Sequence, residues 1–515
     1  MADMPLGPVT FSAVEGQEFG SFHYHLGLVH HSFGEEEAGL VRTLMNGEPA
    51  RQAALEPTPE NVAAAFRVAS LFHETRHLID GFGTLAGISL FGKAMELLRE
   101  LCHWASVFGA AGVGWQLPLR DWVMSKDCPQ EMRDFVRRLR AFHQAEPHFL
   151  ALFEPFAIEG HNEQMLIEVA GPDGRTLKAF PIRMTRAYSN APENVTLISV
   201  LCPLGYEALV EGSAHAICRN LVAHLFPKDI ADELVLAVRF KVLSDDDVGE
   251  EDSLLSSTPP YMITDLMISR FLRSRGVNQF PRDTVLGMTD LVLSQCWIET
   301  VELGKGLTGV KFDDFGDALL KNLEHQSVSA LAQGRVETPE RVDAGYRILL
   351  QSLEQGGDWD SVEDDLSPLS SVMIWESYCA QNLTVPLLRK RGETGHAAFQ
   401  TNDGFFELLP IIQDAAIRAH EGQLQSALPK RVTQAWAHVV MLSALARQMA
   451  TDKDELICPR RFGSIPGIAS VNFAQQGHCD IHGKFGCGEF RPGVDVYEPP
   501  CLFEHGLRFL RLSRH

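Results

Sequence analysis

His73-Glu74-Thr75-Arg76-His77 reads H-E-x-x-H within a segment whose apolar residues recur at helical spacing. Residues four apart on a helix stand on the same face, so both imidazoles can be offered to one metal ion, with Glu74 beside them to handle a proton. This is the chemistry of a zinc ion, a water that it activates, and a glutamate general base. A catalytic zinc wants three protein ligands and one open position. A third donor, carboxylate or histidine, must therefore come from another element.

The sequence around the motif delimits its helix. Thr58 is an N-cap candidate, Pro59 suits the first helical position, and Glu60 lies in the first turn. Val62, Phe66, Ala69, Phe72, His73 and His77 then follow at helical period, and Gly81 is the expected stop. A second helix is predicted from about residue 203 to 226, ended by Pro227. It carries Glu207, Glu211 and His215 four apart, on roughly one face and among Leu209, Val210, Ala214 and Ile217. Such a stripe is costly to bury unless its members are paired or ligate something, and any of the three can supply the missing donor. Gly212, beside Glu211, predicts a close approach by a neighbouring helix.

His73-Glu74-x-x-His77 followed by Glu211-Gly212-x-Ala214 resembles the gluzincin type of zincin metallopeptidase, over about residues 15–230. The resemblance implies zinc held by His73, His77 and Glu211, with Glu74 as general base. Glu207, His215 and Asp80 would then orient ligands. His215 and Tyr206 are candidate donors to the oxyanion. Asp80-Gly81 is similar to members carrying an aspartate three residues after the second histidine. Two features depart from the pattern: the gap between the helices is longer than in the best-known members, and the third histidine of the metzincins is absent.

The remaining elements must position this centre. Residues 8–32 read as one or two strands, with His23, His25, His30 and His31 as incidental histidines. Residues 85–150 read as helices with Met95, Leu98, Leu101 and Trp104 on one side. A hairpin is predicted from Met165 to Arg183 around Gly171-Pro172-Asp173-Gly174. The acidic run from Asp245 to Asp252 marks a break, and residues 261–455 are mostly helical by period, interrupted at Gly356-Gly357-Asp358. The expected class is mainly α with a small β component (α+β). A zincin-like catalytic domain would span 1–250, a helical domain 251–455, and a Cys/His-rich segment 456–515.

That last segment holds Cys458, Cys479, Cys487 and Cys501 of the ten cysteines, with His482 completing a C-x-x-H pair. These five are candidates for a second, structural zinc, the alternative being reduced thiols in a compact loop. Cys102, Cys128, Cys202, Cys218, Cys296 and Cys379 are scattered singly and read as buried or incidental thiols.

A formal net charge of −22 argues against nucleic acid as a partner. No apolar run approaches the length needed to span a bilayer and no secretory leader is visible, so a cytoplasmic protein is expected. The functional expectation is a zinc-dependent hydrolase acting on a peptide or protein substrate. The alternative is a catalytically weak zincin scaffold whose helical region binds a protein partner. A carboxylate-bridged di-iron bundle built on Glu74 and His77 would need a second E-x-x-H, for which Glu100-x-x-His103 is a candidate and Glu393-x-x-His396 a poor one.

Overall fold

The computed structural model describes residues 20–23, 27–31, 55–110, 115–116, 119–145, 165–170, 176–188, 191–227, 259–302, 315–357, 359–362, 367–413, 417–420, 423–425 and 512–513, with scattered positions from 428 to 446. The chain is mostly helical. In order come β1 (Gly20–His23), β2 (Leu28–His31), α1 (Pro59–Gly83), α2 (Leu85–Ala110), β3 (Trp115–Gln116), α3 (Leu119–Met124) and α4 (Gln130–Ala145). Next are β4 (Ile167–Ala170), β5 (Thr176–Tyr188), β6 (Ala191–Pro203) and α5 (Tyr206–Leu225). The helices α6 (Pro259–Arg273), α7 (Asp283–Glu302), α8 (Phe315–His325), α9 (Val328–Leu331), α10 (Glu340–Glu354) and α11 (Pro368–Cys379) follow. A π-helical turn over Ala380–Thr384 leads into α12 (Val385–Thr394), α13 (Ala397–Gln400) and α14 (Asn402–Gln413), then β7 (Ile417–His420), β8 (Gln423–Gln425) and β9 (Leu512–Ser513).

The helix of the motif, α1, forms as its sequence predicts. The Thr58 side chain accepts from the Asn61 N–H at 3.2 Å, with Pro59 entering the first turn. Its end differs from expectation: the helix passes Gly81 and stops at Gly83, with Thr84 as the single-residue corner into α2. Thr84 serves both helices, since its hydroxyl donates to the Asp80 carbonyl at 2.6 Å and accepts from the Gly87 N–H at 3.2 Å. Gly81 is instead a packing residue. A Cβ on Gly87 would stand 2.3 Å from the Asp80 carbonyl oxygen and 2.6 Å from the Gly81 Cα, so the two helices meet backbone to backbone at this corner.

From Leu71 to Gly87 every side of α1 and the start of α2 is buried. Leu71, Phe72, Leu78, Ile79 and Phe82 belong to a hydrophobic core that draws on residues from Val29 to Ala446. Phe72 packs edge-on against Phe405 and Phe406 of α14. The predicted break at Asp245–Asp252 lies outside the described residues, and helices from either side of it share this core. In particular α7 packs on α2 and α5, and α6 on α5.

Among the described residues, three small sheets accompany the helices. The predicted strands appear as β1 and β2, which pair antiparallel and lie on α1; β2 also pairs in parallel with β7, nearly 390 residues later, and β8 completes the order β1-β2-β7-β8. Gly27 makes the turn between β1 and β2 with φ at +54°, where its missing side chain leaves room for Trp375 and Phe82. The predicted hairpin appears as β4 against β5, and β5 continues to Tyr188 to pair with β6 in a long antiparallel ladder. β3 pairs with β9.

A second buried polar cluster ties the later helices to α1. Arg391 of α12 donates twice to Asp290 of α7, at 2.7 and 2.9 Å, and also to the Gly83 carbonyl at 2.9 Å. Its guanidinium lies over the Phe399 ring at 3.7 Å. His396 receives an N–H from Arg391 on Nδ1 and donates from Nε2 to Asp343 at 2.8 Å. Burial pushes the Asp290 carboxyl towards protonation, but the charge of Arg391 and contacts with His396 hold it well below the usual carboxylate range.

Two outcomes follow from this packing. Gly87→Ala is expected to cost about 3 kcal/mol, because backbone has to move, whereas Gly392→Ala, with nothing within 4 Å of its Cβ, stabilises by up to about 1 kcal/mol. Chemical denaturation of both variants measures the contrast. Asp290→Asn strands Arg391 and is expected to cost about 3–5 kcal/mol at neutral pH. A depressed carboxylate contributes stability above its unfolded pKa of about 4 and loses it as pH falls from there towards the folded value. The deficit of the variant should therefore shrink between about pH 4 and pH 2, as read by urea unfolding across that range.

Candidate metal centre

Helix α5 runs alongside α1 in the opposite direction. Leu225 meets Leu55, Cys218 meets Ala69, and Glu211 meets His77, so numbers fall on one helix as they rise on the other. This pairing brings Glu211 onto the motif. His73 Nε2 lies 3.0 Å from Glu211 Oε2, His77 Nε2 lies 3.4 Å from Glu211 Oε1, and the two Nε2 atoms are 3.1 Å apart. His73, His77 and Glu211 are the one group among the described residues whose donor atoms converge in the manner of a metal site.

The donor set fits zinc. Ligands of one tetrahedral zinc, with bonds of about 2.0–2.1 Å, are separated by about 3.3 Å. The three contacts are near that spacing, the two histidines meeting different oxygens of the Glu211 carboxylate. His73 and His77 are buried and the Glu211 side chain is 19% exposed, so one flank of the triangle keeps contact with solvent. At these distances the two imidazole nitrogens and the carboxylate can share a proton or offer their lone pairs to one cation. Burial opposes a charge on His73, yet its contacts with Cys218 and Glu211 outweigh that and lift its pKa well above the ordinary value. Burial likewise pushes Glu211 up, and His77 and His73 pull it well below the carboxylate range. A metal ion can replace the proton that this arrangement attracts.

The other residues expected at the site divide. Glu74 is buried on the same helix, one position from His73. On α5, His215 is buried and Glu207 half-buried. Neither contributes to the convergent set. Tyr206 is fully buried, edge-on to Phe315 at 6.2 Å. Asp80 departs from expectation. Its carboxylate takes Arg76 Nε at 3.2 Å, Arg76 NH2 at 2.9 Å and the Ser213 hydroxyl at 2.7 Å, so its partners lie away from the histidines.

Cys218, read from the sequence as an incidental thiol, lies next to the centre. Its Sγ donates to the Ala69 carbonyl at 3.1 Å and it is in hydrogen-bonding contact with His73. The available signal was its position seven residues after Glu211, two turns along the same helix face. The second E-x-x-H of a di-iron bundle does not form at Glu100, which takes Trp104 and Arg138 as partners, while His103 is exposed. Cys458, Cys479, His482, Cys487 and Cys501 lie outside the described residues, as do His25 and the side chains of His23, His30 and His31.

A scan against protein-family models and searches of curated proteins and of solved structures found no match. The chemistry of this centre therefore has to be read from its own residues.

If zinc is held by this triad, it displaces the proton favoured by His73. Apparent zinc affinity should rise with pH, by up to about tenfold per unit, until the pH passes the His73 pKa and the curve levels. Competition with a chelator between about pH 6 and pH 8 measures it. A flat profile would mean that His73 is not a ligand.

Proposed function

We propose that the protein is a zinc-dependent hydrolase of the zincin type, with His73, His77 and Glu211 as ligands and Glu74 as general base, acting on a peptide or amide bond. The observation that carries this reading is the 3.0–3.4 Å triangle of two histidine nitrogens and a carboxylate contributed by two separate helices. Zinc, when bound, is a Lewis acid that acidifies water and polarises a carbonyl.

The remaining work falls to the chain. Glu74 takes a proton from water as the water oxygen bonds to the carbonyl carbon. It then delivers that proton to the nitrogen as the C–N bond breaks, and an amine and a carboxylic acid leave. Burial suits Glu74 to this role, since it shields the transferred proton from bulk water. No described helix is long and apolar enough to cross a membrane.

Glu74→Gln separates catalysis from scaffold. Zinc content should remain at one equivalent, while hydrolysis of a mixed peptide library falls by at least about a hundredfold. Full activity in the variant would sink the assignment. An inert wild type that still holds zinc would favour the alternative, a zincin scaffold serving a binding role.

A further inference from the structure

The geometry points to Asp80 and Ser213 as positioning residues that set the third ligand against the two histidines; the inference rests on the zinc reading of the centre. Ser213 stands two residues beyond Glu211, and Asp80 three beyond His77. At about 1.5 Å of rise per residue, their bond lies within one helical turn of the ligands on both helices. The bond is short, 2.7 Å, and both partners have no exposed surface. A charged acceptor makes it stronger than a neutral hydrogen bond.

Asp80 is itself held. Arg76 grips both carboxylate oxygens and donates its remaining amino group to the Phe399 carbonyl at 3.0 Å, so the lock extends from α1 to α13. On its far side α5 is pinned by α6. Thr264 donates to the Ala208 carbonyl at 2.8 Å, and its Cβ would be 2.9 Å from a Cβ on Gly212. Held from both sides, α5 cannot slide along α1. A slip of one residue would move Glu211 by about 1.5 Å, enough to open a triangle whose edges have to stay near 3.3 Å.

The motif helix thus carries two kinds of residue. His73, Glu74 and His77 meet the reaction, while Arg76 and Asp80 set the register of the helix that supplies the last ligand. Asp80 acts on α5 rather than on a histidine ring, which distinguishes this role from ligand orientation.

The test compares wild type with Ser213→Ala and Ser213→Thr, using zinc affinity by chelator competition, the visible absorption of the cobalt-substituted protein, and thermal unfolding of the metal-free protein. Ser213→Ala should lose about ten- to a hundredfold in zinc affinity and show an altered cobalt spectrum, with metal-free unfolding shifted by only a few degrees. Ser213→Thr, which keeps the hydroxyl, should bind zinc close to wild type. Zinc affinity of Ser213→Ala within twofold of wild type overturns the lock. So does an equal loss in Ser213→Thr, which would assign the effect to packing. If the wild type takes up no zinc, the metal reading fails and takes this inference with it; a zinc-binding wild type with an indifferent Ser213→Ala removes the lock alone.

Discussion

Five ionisable side chains, His73, Glu74, Arg76, His77 and Asp80, occupy two turns of α1 that are buried on every side. Taking a charge out of water costs several kcal/mol even after relaxation, so a chain that does this must provide partners. Much of the surrounding structure follows from that requirement. Arg76 and Asp80 satisfy each other at the expected helical spacing. His73 and His77 meet Nε2 to Nε2 at 3.1 Å, and Glu211, from another helix, faces both.

The price of internal charge is also what makes the centre usable. In a low-polarity interior, electrostatic interactions with an ion, were one bound, would be strong. The apolar residues interleaved with the motif, Leu71, Phe72, Leu78 and Ile79, create that interior. They also fix α1 in place, so that its histidines are held by packing before any metal arrives. Such preorganisation is what precise metal sites require.

The C-terminal half takes part in this, although it carries none of the convergent donors. Arg391 reaches the last carbonyl of α1, and the Phe399 carbonyl takes the far end of Arg76. β7 pairs with β2, which lies on α1. Residues more than three hundred positions from the motif therefore finish the walls around it. The π-helical turn before α12 has a local cause in Pro386, which removes one N–H from the ladder at the point where the helix changes register.

Local signals were sufficient for a good part of this. The cap at Thr58, the helical placement of H-E-x-x-H, the hairpin at β4 and β5, and the small residue beside Glu211 follow from spacing, capping and glycine sterics, which act within a few residues. Spacing on α5 left three donors open and the resemblance implied Glu211; tertiary packing brings Glu211 to the histidines, because that depends on how α5 is rotated and slid against α1. The sequence could not assign Asp80 to Ser213 or Cys218 to His73, since neither contact has a periodicity that marks it. Nor could it foresee β7 beside β2, a parallel pairing across almost the whole chain. Chemistry that repeats at helical spacing is written in the sequence, whereas register between distant elements is decided only when their surfaces meet.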